Sequence, residues 1–216
     1  MTSQGPQTGV VTFLDILGWR GIYQRQEQPL LTLAELVGTL RVLSDDSATE
    51  IKSISDTIAI FTPVRKPSEA ETQKAIEHHG RLCVRAICDS IVNHIPVRGA
   101  TSVGTFELNQ DMFVGRAVDE AAGWYEQGDW IGVHLTPSAD FCFDACGSVK
   151  WVRYVAPLKS GPWQTTCARW RPLWDADAGD AAALRTHFTE MGPLTPDISS
   201  KFINTLRFYD HVSEQG

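Results

Sequence analysis

Apolar positions along this chain fall into short runs and helical stripes that alternate. The run Gly9-Val-Val-Thr-Phe-Leu14 predicts a buried strand ending at Asp15, and Ile16 to Arg20 are expected to turn into a helix. Leu33, Leu36, Val37 and Leu40 recur at spacings of three and four, which predicts a helix over 31–40. Two β-like runs follow, 49–55 and 58–62, separated by Asp56 and Thr57, the spacing of a tight hairpin with Asp56 at its tip. Pro67 and Ser68 open a long helix to about His94, whose stripe is Ile76, Gly80, Cys83, Ile87 and Ile91. Pro96 starts a strand over 97–106, a helix is expected over 115–127, and further strands over 131–135 and 148–155. Beyond Pro162 the tryptophans Trp163, Trp170 and Trp174 show no period, and helices are expected over 178–190 and 196–212.

This mixture predicts an α+β sandwich, with helices on one face of a mostly antiparallel sheet. The expected organisation is a flexible lead-in over 1–8, a catalytic domain over 9–160, and a C-terminal helical extension over 161–216 on the same domain. Hydrophobic residues are 43% and charged residues 21% of the 216, an ordinary globular composition. No apolar run approaches the roughly 20 residues of a membrane span, and no secretory signal precedes the first strand, so neither membrane nor export is expected and a cytoplasmic location is. The five cysteines lack paired spacing, which argues against disulfides and a cysteine zinc site. A net charge of −7 disfavours nucleic acid as a partner. A small anionic substrate would need local neutralisation by metal ions and a few cationic side chains.

Asp15 and Asp56 would open onto one sheet edge if their strands are neighbours, an arrangement suited to Mg²⁺ or Mn²⁺. The ordinary uses of Asp at such places are helix caps and turns. P-loop and Rossmann fingerprints are absent. The segment Phe13-Leu-Asp-Ile-Leu-Gly-Trp19 resembles the F-x-D-I-x-G-F/W segment of class III nucleotidyl cyclases, and Lys52-Ser-Ile-Ser-Asp56-Thr-Ile-Ala-Ile60 is similar to their second metal-binding segment. The resemblance implies a ferredoxin-like, palm-type fold and two divalent ions, Mn²⁺ or Mg²⁺, held by Asp15, Asp56 and the carbonyl of Ile16. It also implies that the amides of Leu17, Gly18 and Trp19, in a helix's first turn, hold the triphosphate. Pro96-Val-Arg98-Gly99 looks like the strand whose Arg contacts the triphosphate. Phe113 to Ala122 matches the segment bearing the family's transition-state Asn and Arg only in part, because Asp119 and Gly123 stand there; Arg116 is the substitute considered, and Lys159 a further phosphate contact. Head-to-tail homodimers with sites at the interface are implied as well.

In that family a polar pair reads the purine. Here Lys52 occupies one position and Met112 the other, so the pair is broken. The length and the F-L-D-I-L-G and S-D-T segments are similar to the stand-alone bacterial pyrimidine cyclases of Pycsar anti-phage systems. That resemblance implies conversion of UTP or CTP to the 3′,5′-cyclic monophosphate, a messenger for a separate effector. A purine cyclase and a catalytically weak nucleotide-binding domain are the alternatives. A diguanylate cyclase is disfavoured by the missing G-G-D/E-E-F tip at 53–57.

Overall fold

The computed structural model describes residues 5–24, 26–45, 48–65, 68–109, 112–192 and 194–214. Strands are β1 (Gln7–Ile16), β2 (Glu50–Ile54), β3 (Thr57–Pro63), β4 (Val97–Leu108), β5 (Phe113–Val114), β6 (Gly132–Leu135), β7 (Trp151–Leu158) and β8 (Gly161–Ala168). Helices are α1 (Pro29–Ser44), α2 (Glu69–Val92), α3 (Arg116–Tyr125), α4 (Pro137–Asp140), α5 (Arg171–Asp177), α6 (Ala181–Glu190) and α7 (Pro196–Glu214). The sheet runs β2-β3-β1-β4-β6-β8-β7, with β5 paired to β4. Only the β4–β6 pairing is parallel among the described strands. The expected α+β sandwich with a mostly antiparallel sheet is therefore what forms.

The helices, however, lie on both faces rather than one. Val10, Leu14 and Ile16 of β1 join the large core beneath α1, α2 and the C-terminal helices, whereas Val11 and Phe13 join a smaller cluster with Ala117, Val118 and Ala121 of α3. Successive strand side chains alternate in direction, so a strand covered on both faces reads as a nearly continuous apolar run, as Val10 to Leu14 does around the buried Thr12. On the large face, α2 is capped by Ser68, whose hydroxyl accepts from the Glu71 amide; Pro67 lies outside the described residues. Its stripe of Ile76, Gly80, Cys83, Ile87 and Ile91 is buried as expected.

Four local expectations need correction. Ile16 ends β1 instead of starting a helix, and Gly18 and Gly21 follow at φ of 71° and 85°, a left-handed backbone that no helix tolerates; α1 begins only at Pro29. Gln7 and Thr8, placed in the lead-in, pair with Phe106 and Thr105, while residues 1–4 lie outside the described residues. Residues 161–168, placed in the helical extension, are a strand paired with β7 across position 160. Residues 171–177, given no element, form α5.

Two histidines are sealed in the core. His79 accepts or donates at both ring nitrogens, to Thr12 at 2.7 Å and Thr62 at 2.9 Å, and burial depresses its pKa to about 3. His134 is fully buried with neither nitrogen paired, and burial depresses it to about 4. A folded-state pKa below the unfolded value means the unfolded chain binds more protons, so stability is whole above pH ~6.5 and falls as the pH drops toward 4. His134→Leu removes one of these linked protons and an unpaired buried dipole. Urea titrations across pH 4 to 7 should show the slope of stability against pH reduced by up to about 1.4 kcal/mol per pH unit in the variant. An unchanged slope would place the linkage elsewhere.

Candidate active site

β1 lies between β3 and β4, and its last residues meet the ends of both. Asp15 is directly opposite Thr57 on one side and Arg98 on the other. The two-residue connection at Ser55 and Asp56 turns with Ser55 at φ 56°, and the Ile16 amide donates to the Asp56 carbonyl at 3.1 Å. Both sequence-remote acids thus arrive at one edge. Phe13 and Asp15 are two residues apart, so Asp15 points to the α3 side of the sheet, where the smaller cluster lies.

Arg98 holds Asp15 with two nitrogens, Nε and Nη2 each 3.0 Å from Oδ2, and its Nη1 donates to the carbonyls of Glu126 and Gly128 at 3.0 and 3.2 Å. Each partner of the ion pair keeps only 13% of its side chain exposed. Burial raises the Asp15 carboxyl above its ordinary range; Arg98 opposes this, and the charges of Asp56 and Glu126 push it further up. Arg98 pairs with the Asp15 carboxylate alone, and the charges of Asp56 and Glu126 act on Asp15 with no direct contact, so the edge carries more negative than positive charge. The donor set is hard oxygen throughout, and a guanidinium already sits where positive charge is wanted. The residues present fit divalent ions of the Mg²⁺ or Mn²⁺ class.

Tyr125 and Glu126, at the end of α3, were not singled out from sequence. The Tyr125 hydroxyl donates to Glu126 Oε1 at 3.1 Å, and burial together with that carboxylate raises the phenol to about 12. The Phe13 ring meets Phe113 edge-on at 5.7 Å and Tyr125 edge-on at 6.0 Å. The only sequence clue was the acidic-aromatic pair ending an amphipathic segment, which is too common to mark a site.

Other expected residues are placed as follows. Leu17 donates its amide to the Pro96 carbonyl at 2.8 Å, so that amide is already engaged; Gly18 and Trp19 follow in an open turn, not in a helix's first turn. Lys52 lies in the same cross-strand row as Ala59 and Phe13, hence on the Asp15 face two strands away, roughly 10 Å across at the usual strand spacing. Its ammonium donates to the Asn109 carbonyl at 2.5 Å, and Asn109 in turn caps the exposed Met112 through Oδ1 at 2.8 Å. Lys52 and the Met112 turn are therefore neighbours, with Asn109 as the polar group between them. Arg116, Asp119 and Gly123 lie exposed along one side of α3. Lys159 is exposed in the β7–β8 turn, its amide bonded to the Gln127 carbonyl at 2.8 Å.

No protein-family model matches the sequence, and no curated protein matches it. Solved structures do. The non-canonical dimeric guanylyl cyclase domain of the RhoGC fusion protein from the aquatic fungus Blastocladiella emersonii superposes with a TM-score of 0.58 at 17% identity, covering 78% of this chain and 97% of that one. The adenylyl cyclase CyaB from P. aeruginosa gives 0.56 at 13% identity, covering 78% and 96%. The guanylate cyclase domain of RhGC from Catenaria anguillulae, in complex with GTP, gives 0.52 at 16%, covering 76% and 98%. The chain has the fold of the nucleotidyl cyclase catalytic domain. Among the described residues, no helix is long and apolar enough to cross a membrane.

Proposed function

We propose that this chain is a metal-dependent nucleotidyl cyclase, and that its substrate is a pyrimidine nucleoside triphosphate, UTP or CTP. The observation that carries the reading is that Asp15, paired with Arg98, ends β1 beside the turn that bears Asp56, within a cyclase-domain fold. Asp15, Asp56 and the Ile16 carbonyl would hold two divalent ions. Bound there, such ions supply Lewis acidity to the ribose 3′-hydroxyl and neutralise the phosphates. The 3′-hydroxyl would release its proton to solvent water as its oxygen attacks the α-phosphorus, the bond from that phosphorus to the bridging oxygen would break, and pyrophosphate would leave.

The chain's own groups bind and orient. Arg98 can exchange its carboxylate partner for phosphate oxygens while its Nη1 stays anchored on the Glu126 and Gly128 carbonyls. Gly18 and Trp19 border the same edge as phosphate contacts. Asp119 cannot donate to developing charge, so Arg116 on the same side of α3 is assigned that role, across a head-to-tail homodimer interface. Lys52, on the same face as Asp15, would face the base, and the second position of the purine-reading pair is Met112, whose side chain cannot hydrogen-bond a base edge. A purine-reading pair is therefore lacking, which supports a pyrimidine. The cyclic product would serve as a messenger for a separate effector in anti-phage defence.

Incubating the protein with Mn²⁺ and each of the four ribonucleoside triphosphates, with mass spectrometry of the products, tests both levels. Cyclic UMP or cyclic CMP with pyrophosphate is expected. A purine product alone would overturn the base assignment, and nucleotide-dependent stabilisation without any pyrophosphate would overturn the enzyme.

A further inference from the structure

Away from the edge that carries Asp15, two histidines and a glutamate meet where two helices end. His94 follows the C-cap of α2 and stands in left-handed backbone at φ 57°, a position that usually falls to Gly or Asn. His187 and Glu190 are three residues apart on α6, so both side chains leave one face of the helix, and Glu190 is its last residue. His94 Nε2 is 3.4 Å from His187 Nδ1 and 3.4 Å from Glu190 Oε2, and His187 Nδ1 is 4.0 Å from that same oxygen.

We propose that His94, His187 and Glu190 form a binding site for one zinc ion, a reading independent of the cyclase assignment. Tetrahedral zinc with bonds of about 2.0 to 2.1 Å requires its ligand atoms to be about 3.3 to 3.4 Å apart. Two of the three edges have that length already. The third closes by rotation of Glu190, whose side chain is 54% exposed and can move without disturbing the core. Two imidazoles and one carboxylate are a zinc donor set with the fourth position left to water. Nitrogen ligands disfavour Mg²⁺ and Ca²⁺, so this site and the all-oxygen edge at Asp15 select different ions.

The surroundings favour a cation for a second reason. The C-terminal ends of α2 and α6 both point at the cluster, and each contributes partial negative charge from its last carbonyls. Trp174 meets the His187 ring edge-on at 5.6 Å and 83°, which fixes the imidazole's orientation before any ion arrives. Such an ion would fasten α6 to the segment that leads from α2 into β4, whose Pro96 carbonyl receives the Leu17 amide.

The test is titration of the chelator-stripped, full-length protein with Co²⁺ and then Zn²⁺, with excess Mg²⁺ present to occupy oxygen sites. One equivalent of Co²⁺ should bind with the visible absorption of a four-coordinate nitrogen–oxygen site, and Zn²⁺ should displace it. His187→Ala should weaken binding by about 100-fold or more and Glu190→Gln by about tenfold, while Asp15→Asn should leave it unchanged. Should His187→Ala fail to fold, the half-exposed Glu190→Gln still decides. Absence of stoichiometric binding, thiolate charge-transfer bands that would point to Cys142 or Cys146, or equal affinity in wild type and both variants would each overturn the site.

Discussion

Replacing Asp15 with Asn is expected to lower cyclic-nucleotide formation by about 10³-fold or more while the protein stays folded. Asn keeps the shape and one oxygen but loses the charge that would hold metal ions, and their stabilisation of the transferring phosphoryl group is worth several kcal/mol. Folding tolerates the change for reasons visible around the residue. Burial and the charges of Asp56 and Glu126 already disfavour an ionised Asp15, which offsets part of the cost of losing its buried ion pair. Arg98 retains the carbonyls of Glu126 and Gly128 as acceptors. Turnover with saturating Mn²⁺, set beside the melting temperature, separates the two effects. Full activity in a folded Asp15→Asn protein would remove the basis for the proposed chemistry.

Gly80→Val should cause the largest loss of stability of any single substitution considered, about 3 kcal/mol, or a melting point lower by about 10 °C for a chain of this size. Glycine in the middle of a 24-residue helix is a poor choice on propensity, costing about 1 kcal/mol against alanine. The reason it is there is Trp151. A β-carbon at position 80 would come within 2.4 Å of the indole nitrogen, and that indole is pinned by its donation to the Ile76 carbonyl at 3.0 Å. Trp151 is itself 1% exposed and cannot swing away. Any larger side chain must lift α2 from the sheet or break the indole's hydrogen bond. Thermal denaturation measures this directly, and a melting point within a degree or two of wild type would show that α2 shifts more freely than its packing implies.

The sequence made β1, the hairpin tip at Asp56 and the stripe of α2 legible because each has a strong local pattern: an apolar run interrupted only by Thr12, two runs two residues apart, a repeat at helical spacing. What it left dark depends on partners far along the chain. β8 reads without alternation because its first half, Gly161 to Gln164, is mostly exposed and its second half, Thr165 to Ala168, is buried on both sides. Neither half has a period of two. Glu126 and Tyr125 reach the site only because the parallel β4–β6 pairing folds the end of α3 back over Arg98, and nothing local announces a parallel pairing. The segment after Ile16 was misread because an apolar stretch looks helical until Gly18 and Gly21 are given their left-handed backbone. At the candidate site, the acids were readable only through the resemblance of their two segments to a known family, and the resting bond between Arg98 and Asp15 was not readable at all, since it comes from register between strands separated by most of the catalytic segment.

The central place of β1 has a consequence for how the chain comes into being. Its residues pair on one side with Thr57 to Pro63 and on the other with Val97 to Phe106, so an apolar ribbon made early waits for neighbours made much later. At ribosomal speeds of about 5 to 20 residues per second, that interval lasts several seconds, during which both edges of the ribbon are open to wrong partners. Newly made protein should therefore be most vulnerable to aggregation before β4 has emerged, and slow, long-range strand closure rather than helix formation should limit its folding rate.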